Sequence, residues 1–261
     1  MSARPGRFES TVPYYARFRL GYPDRLIRRV IDFVGLKAGD AVLDLGSGPG
    51  LLAIPFAAAG MRVTAADPEP AMLDAAGAAA RAAGVTLDLW RGGSADLHAD
   101  MGPYRLVTMG RSFHWMDRAA TLQRLDQLVS NDGAIALWHD DAPKSAENAW
   151  RDVLHQVSDR YGRSAEAHVA EHGRADYRSH ESYLLDSPFC VLDGLSVVIR
   201  HAVTVDEIVG RAFSMSTCST EKLGDRAQAF ESDLRTALAE HRPDGHFLEI
   251  AAIVALIARR P

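Results

Sequence analysis

Lysine is nearly absent from this chain: only Lys37, Lys144 and Lys222 stand among 29 basic residues, so arginine carries almost all of the positive charge. Basic residues are themselves outnumbered by 34 acidic ones, for a net charge of −5. No global basic field therefore exists to attract a phosphate backbone, which argues against nucleic acid as a partner. Cysteine is as scarce. Cys190 and Cys218 are the only two, too few for a disulfide framework and without CxxC spacing, and a reducing cytoplasm is the expected location. No stretch approaches the roughly 18 consecutive apolar residues of a membrane span, and no hydrophobic signal core opens the chain. Pro5, Pro13 and Pro23 break the amphipathic helix that a transit peptide needs.

What is present is the composition of a globular protein, 261 residues with 47% hydrophobic and 24% charged. That length suits one large domain with an insertion better than two catalytic domains. Charge is uneven along it. Residues 1–30 hold seven arginines against Glu9 and Asp24, which marks either an N-terminal arm with a role of its own or a solvated, frayed terminus.

From Pro23 to about Leu137, short apolar runs alternate with amphipathic or Ala-rich stretches, the βαβ rhythm of a parallel sheet covered by helices. Leu26, Ile27, Val30, Ile31 and Val34 follow helical spacing up to Gly35. Strands are expected at 41–45, 62–66, 85–90, 106–109 and 134–137. Helices are expected at 51–59, from Pro70 to Gly84, and from an Asp117 N-cap to about Val129. Asn131-Asp132-Gly133 reads as a turn into the fifth strand. Residues 143–182 break the rhythm with helical, histidine-bearing sequence and read as a cap insertion. Beyond it, 190–205 reads as strand, 225–241 as helix and 247–258 as a terminal strand.

VLDLGSGPG, residues 42–50, is the strongest motif. A strand ending in Gly46-x-Gly48-x-Gly50 and opening a helix removes side chains where backbone must meet a ligand. A dinucleotide fingerprint wants Gly or Ala at the position of Leu51, and a P-loop wants Gly-Lys-Ser/Thr, so neither phosphate reading fits. Asp67 follows Gly46 by 21 residues at the end of the second strand, where a carboxylate accepts from both ribose hydroxyls. The plainer role for Asp67 is to cap the helix behind Pro70. Together, loop and acid indicate an adenosine without a pyrophosphate.

On these residues the chain resembles a class I S-adenosylmethionine-dependent methyltransferase. LDLGSGPG stands as the first motif and the Asp67 segment as the next; GSADL (93–97) resembles the adenine-contacting segment and SFHWMDR (112–118) the stretch after strand four. RFRLGYP (17–23) is similar to the R-P-x-Y-P opening of the trans-aconitate methyltransferase-like branch of the type 11 methyltransferase domain. Leu20 replaces its usual proline, and Arg105 stands where an aspartate is usual. The resemblance implies an α/β, Rossmann-like fold: a mostly parallel seven-stranded sheet with helices on both faces and a helical cap. Residues 1–22 would form an arm closing the cofactor site, and 23–261 the methyltransferase domain with its insertion at about 143–182.

The resemblance also implies roles. Gly46, Ser47, Gly48 and Gly50 would line the methionine portion of S-adenosylmethionine, Asp67 the ribose, and Ala95 and Asp96 the adenine amine. Met72 would pack on the adenine ring, although a Met at helical spacing also reads as core. Arg19 would hold the cofactor's carboxylate, with Tyr14 or Tyr15 closing over it and Tyr15 also reaching the substrate. The acceptor would be a small molecule, methylated at a carboxylate, hydroxyl or amine. A carboxylate needs no base, whereas a proton-bearing acceptor does. His114, just past strand four, is the first candidate base, with packing against Trp115 as its other reading; His139, beside Asp140 and Asp141, is the second. Arg111 is a candidate to pin an anionic substrate. Two other classes stay open: a protein of this fold that binds the cofactor without methyl transfer, and a metal-dependent hydrolase using His168-x-x-Glu171-His172.

Overall fold

Strand order reverses once across the sheet, β3-β2-β1-β4-β5-β7-β6, in the computed structural model, which describes residues 11–162, 177–215 and 217–261. The strands are β1 (Ala41–Leu45), β2 (Arg62–Asp67), β3 (Asp88–Arg91), β4 (Tyr104–Gly110), β5 (Val129–Asp141), β6 (Val191–Val203) and β7 (Phe247–Arg259). β1 to β5 pair in parallel, and β7 runs antiparallel to both β5 and β6. Chain direction diverges from β1, toward β2 on one side and β4 on the other. Such a switch point opens a crevice at the carboxyl ends of the strands.

Alternation along the strands feeds two cores. On one face Val42, Leu106 and Ile257 meet Leu26, Ile27 and Val30 of α2 (Asp24–Val34) and Phe56 of α3 (Ala53–Ala58). On the other, Leu43, Leu45 and Val107 meet Leu122 and Leu125 of α5 (Arg118–Leu128). α4 (Pro70–Ala82) starts on Pro70 as its sequence suggests, and Asp117 caps α5 by accepting from Ala120 N at 3.1 Å. Arg105 clasps the amino edge, pairing with Asp132 at 2.6 Å and Asp40 at 4.0 Å.

Several boundaries differ from expectation for local reasons. β3 begins at Asp88 instead of Val85, because Val85 N–H is spent on Ala80 O in closing α4. The Asn131-Asp132-Gly133 segment lies inside β5, where the register against β4 shifts between Tyr104 and Leu106, and so forms a bulge in one long strand. β6 is an edge strand with Val198 64% exposed, and Arg29 of α2 donates to its Ser196 carbonyl at 2.7 Å.

A third core lies above the carboxyl edge and forms the cap. Trp150, Leu154 and Val157 of α6 (Trp150–Arg160) pack with Ile208, Val209 and Phe213 of α8 (Val205–Phe213), and with Phe230, Leu234 and Leu238 of α9 (Ala227–His241). Residues 204–241 thus supply half of a cap expected from 143–182 and the arm alone. Within that expected insertion, α7 (His180–Leu185) packs Leu184 into the core under the sheet instead. The arm contributes α1 (Val12–Phe18), which lies against α8. The His168-x-x-Glu171-His172 motif lies outside the described residues, and among those described no group of three or more His, Cys, Asp or Glu could hold a metal ion. No described helix is long and apolar enough to cross a membrane.

Two side chains test this construction. Trp150 is 1% exposed and donates Nε1–H to Leu248 O at 3.0 Å, joining α6 to β7. Trp150→Ala is expected to cost about 3–5 kcal/mol in chemical unfolding; a loss well under 1 kcal/mol would mean that the cap does not fold with the sheet. Asp44 in β1 is buried, and its carboxylate accepts from Ala53 N at 3.0 Å, which fixes the start of α3. Burial pushes its pKa up to about 8, far above the ordinary 3.8. The native state therefore keeps a proton that the unfolded chain releases from about pH 4 to 8, and this group's stabilising contribution is lost as pH rises through that window. Asp44→Asn should raise the melting temperature relative to the parent by a margin that grows from pH 4 to pH 8, measured by thermal unfolding.

Candidate functional site

β1 ends at Leu45, and the chain bends through Gly46 and Gly48 with φ of +72° and +53°, a left-handed backbone that only glycine adopts freely. A Cβ on Gly46 would fall 2.5 Å from Ser112 Cβ, so the bend also needs an absent side chain. The N–H groups of Gly46 and Ser47 both donate to Ala66 O, at 2.8 and 2.9 Å. Asp67 completes the tie: Oδ2 accepts from Gly48 N at 2.8 Å and Oδ1 from Glu69 N at 2.9 Å. Burial pushes the Asp67 pKa up, opposed by these two N–H groups.

A cavity of about 220 Å³ opens beside this bend, walled by Gly46, Gly48, Asp67, Met72, Ala95 and Asp96. Asp96 is held by Gly93 N–H at 2.8 Å, which shapes that wall. Ser47 sits on a smaller void next to it with Tyr15 and Asp44, and its buried Oγ has no hydrogen-bond partner. Gly50, expected to line the ligand, does not reach any of these spaces. A Cβ there would lie 3.2 Å from Ile54 and 3.4 Å from Ala76, so Gly50 serves the close packing of α3 on α4.

A second cavity of about 370 Å³ adjoins the first and shares Tyr15, Arg111, Ser112 and Trp115 with it. Arg19, His114, His139, Asp140, His180 and Ser214 complete its polar lining, between apolar walls that include Phe113 and Leu137. Tyr14 faces elsewhere: its ring packs 5.2 Å from Phe213 in the cap core, and it touches neither cavity. That corrects the expectation that Tyr14 closes over the cofactor; one residue along α1 turns the side chain through about 100°. Arg19, expected at the cofactor's carboxylate, lines the second cavity and not the wall formed by the glycine bend.

Arg111 is the hinge between the two spaces. Its own φ is +55°, an uncommon conformation for a residue with a Cβ, held by its N–H to Trp138 O at 3.0 Å. Its guanidinium donates to Asp140 Oδ1 and to Leu20 O at 3.0 Å, and lies 4.9 Å from the centre of the Tyr22 ring. The Leu20 that replaces the usual proline thus lends its carbonyl to fasten the arm. Burial works against the charge on Asp140, but Arg111 and Arg19 outweigh it and hold its pKa below the usual carboxylate range.

His114 is open to the second cavity, and its ring centre lies 4.7 Å from that of Trp115 with the planes tilted by 44°, so both of its readings have a geometric counterpart. Burial by the cavity walls, with His180, Arg118 and Arg19, pushes its pKa down to about 4. It is therefore neutral near pH 7. His180, at the start of α7, lies 5.2 Å from Phe113 and is likewise pushed down by burial and Arg118. His139 is exposed and lies 3.6 Å from Asp141. His180 and Asp140 were not singled out from sequence, and no local pattern marks them: each reaches the cavity through tertiary packing. Ser112 opens the SFHWMDR stretch without an expected role of its own, and its Oγ donates to Leu45 O at 2.7 Å and pins the end of β1.

Comparison with known proteins agrees with this geometry. Residues 42–133 match the model of a family described as a methyltransferase domain. A Mycobacterium tuberculosis protein described as an uncharacterized methyltransferase is 26% identical over 235 residues, 90% of this chain and 86% of its own length. The solved structure of a SAM-dependent methyltransferase from Thiobacillus denitrificans, in complex with S-adenosyl-L-homocysteine, is similar in fold. It covers 99% of this chain and 100% of its own, with a TM-score of 0.54 at 18% identity. The YcgJ protein of Bacillus subtilis aligns over 92% of this chain and 100% of its own, with a TM-score of 0.53 at 15% identity. Residues 42–133 therefore match a methyltransferase domain, and the chain as a whole shares its fold with solved S-adenosylmethionine-dependent methyltransferases.

Proposed function

We propose that this protein moves a methyl group from S-adenosylmethionine to a small-molecule acceptor, with the cofactor beside the glycine bend and the acceptor in the adjoining cavity. The observation that carries the reading is the pair of cavities at the carboxyl edge, joined through Tyr15, Arg111, Ser112 and Trp115. The residues present suit the cofactor. The first cavity offers bare backbone at Gly46 and Gly48, a fixed carboxylate at Asp67, and an unpartnered Ser47 hydroxyl close by. No lysine or phosphate-type loop competes for that role. A protein of the same fold is described in complex with S-adenosyl-L-homocysteine.

When bound, the cofactor supplies an electrophilic methyl on a sulfonium sulfur. The chain's own part is to hold and to exclude. Asp67 would accept from the ribose hydroxyls with the lone pairs left free by its two backbone donors, Ala95 and Asp96 would flank the adenine, and Met72 would pack against it. Tyr15 and Trp115 stand where the two spaces meet, so they would exclude water from the line of transfer, and positioning of this kind supplies a large part of the rate. His114, neutral at pH 7, can receive a proton from a hydroxyl or amine acceptor. His139 lines the same cavity and is assigned the lesser role, and Arg111 faces the acceptor.

Two substitutions test the reading. Asp67→Ala should weaken S-adenosylhomocysteine binding by about 1–3 kcal/mol in calorimetry, since it leaves the ribose hydroxyls and the Gly48 and Glu69 N–H groups unpaired. Unchanged affinity would remove Asp67 from the site. His114→Ala should slow turnover of an accepted substrate by about 10²-fold or more while S-adenosylhomocysteine affinity stays within a few-fold. Turnover equal to the parent would reduce His114 to a packing partner of Trp115.

A further inference from the structure

The second cavity lies against a charge imbalance. Arg19 and Arg111 line it, and Arg211 of α8 and Arg151 of α6 stand close enough to act on Arg19 and on Asp140. Against these four guanidinium groups stand two carboxylates among the described residues, Asp140 on Arg111 and the fully buried Glu249 of β7. Glu249 is consumed by the cap: it takes Arg211 through both oxygens at 2.8 and 2.7 Å, Arg151 at 2.5 Å, and His201 at 3.1 Å. Buried nitrogens without a partner remain on all four arginines and on Trp138 and His180, and among the guanidinium groups two of them belong to residues that line the cavity. Arg19 gives one hydrogen bond, to Ser214 O at 3.4 Å, and its Nε is buried without a partner; Nη1 of Arg111 is buried and unpartnered too. Unpaired guanidinium nitrogens away from water cost more than a lost neutral hydrogen bond. The cofactor brings a single carboxylate and, with sulfonium and ammonium, one net positive charge, so it can meet at most part of this surplus.

On the methyl-transfer reading given above, we infer that the acceptor is a small organic acid whose carboxylate is held by Arg19 and Arg111, and which is methylated at a separate hydroxyl or amine facing His114. The cavity, about 370 Å³, is in the size range of small-molecule sites, and its apolar walls at Phe113, Trp115 and Leu137 suit a flat, apolar body between the two polar groups. A carboxylate seated on two guanidinium groups is a poor nucleophile, since its lone pairs and charge are already engaged. The accepting atom is therefore the other group. Its oxygen or nitrogen bonds to the methyl carbon as the carbon–sulfur bond breaks with its electron pair going to sulfur, and its proton passes to the imidazole of His114 and on to solvent. The acid also assists that step. The groups that act on His114 are His180, Arg118 and Arg19, and a carboxylate set on Arg19 offsets part of the positive charge that holds His114 down.

The test saturates the protein with S-adenosylhomocysteine and titrates 4-hydroxybenzoate and 3-aminobenzoate, each beside its amide, by calorimetry at fixed ionic strength. The acids should bind at least about tenfold tighter than the amides, as expected for a charge-assisted hydrogen bond. Arg19→Gln should abolish that preference, and any methylated product should carry a base-stable methyl ether or methylamine. The inference is overturned by equal affinity for acid and amide, by no binding of either acid, by a preference that survives Arg19→Gln, by a loss that falls on S-adenosylhomocysteine instead, or by a methyl ester product. A protein that fails to bind S-adenosylhomocysteine at all would instead overturn the methyl-transfer reading on which the inference rests.

Discussion

One carboxylate organises the ligand-facing edge of this sheet. Asp67 grips Gly48 N–H from the bend after β1 and Glu69 N–H from the loop after β2, so the two loops on one side of the strand-order reversal are tied together. Ser112 does the corresponding work on the other side, through Leu45 O. Between them the bend is fixed from both directions with no side chain of its own, which leaves backbone exposed in a rigid frame. Rigid, bare backbone at the switch point of a parallel sheet is what a nucleoside site requires.

The second half of the site is built differently. Its polar groups come from β4, β5, the arm and α7, and they are held by charge rather than by backbone. Arg111 links Asp140 at the end of β5 to the Leu20 carbonyl of the arm, while Glu249 fastens α6 and α8 to β7. The cap is thus anchored by a buried carboxylate under two arginines, and the cavity lies between that anchor and the Arg111 clasp. Breaking either pair would leave buried charge unpaired, which is why such pairs fix a geometry even where their net contribution to stability is small.

Legibility of the sequence followed locality. The bend at 46–50, the carboxylate at 67 and the segment at 95–96 were readable because their chemistry is in consecutive backbone and fixed spacing. Tyr14 against Tyr15 was not: the choice depends on Phe213, nearly two hundred residues away, which draws one ring into the cap and leaves the other for the cavity. Gly50 carries the same motif as its neighbours but answers to Ile54 and Ala76. Asp140, His180 and Glu249 have no local signature, since each matters through its partner. One missed element did leave a signal. Thr204-x-x-Glu207 forms a capping box, with Thr204 Oγ1 accepting from Glu207 N at 3.2 Å and Glu207 Oε2 accepting from Thr204 N at 2.7 Å, and it marks the helix that brings 204–241 into the cap.

The bond from Arg29 to Ser196 has a meaning beyond the monomer's own packing. An outermost strand of 13 residues with protruding valines is a template onto which another chain's strand can zip by main-chain pairing. A guanidinium seated on a carbonyl midway along that strand occupies an acceptor the newcomer would need, and it brings a charge that resists dehydration. A charge fixed at that point blunts the outer strand as a template for further pairing.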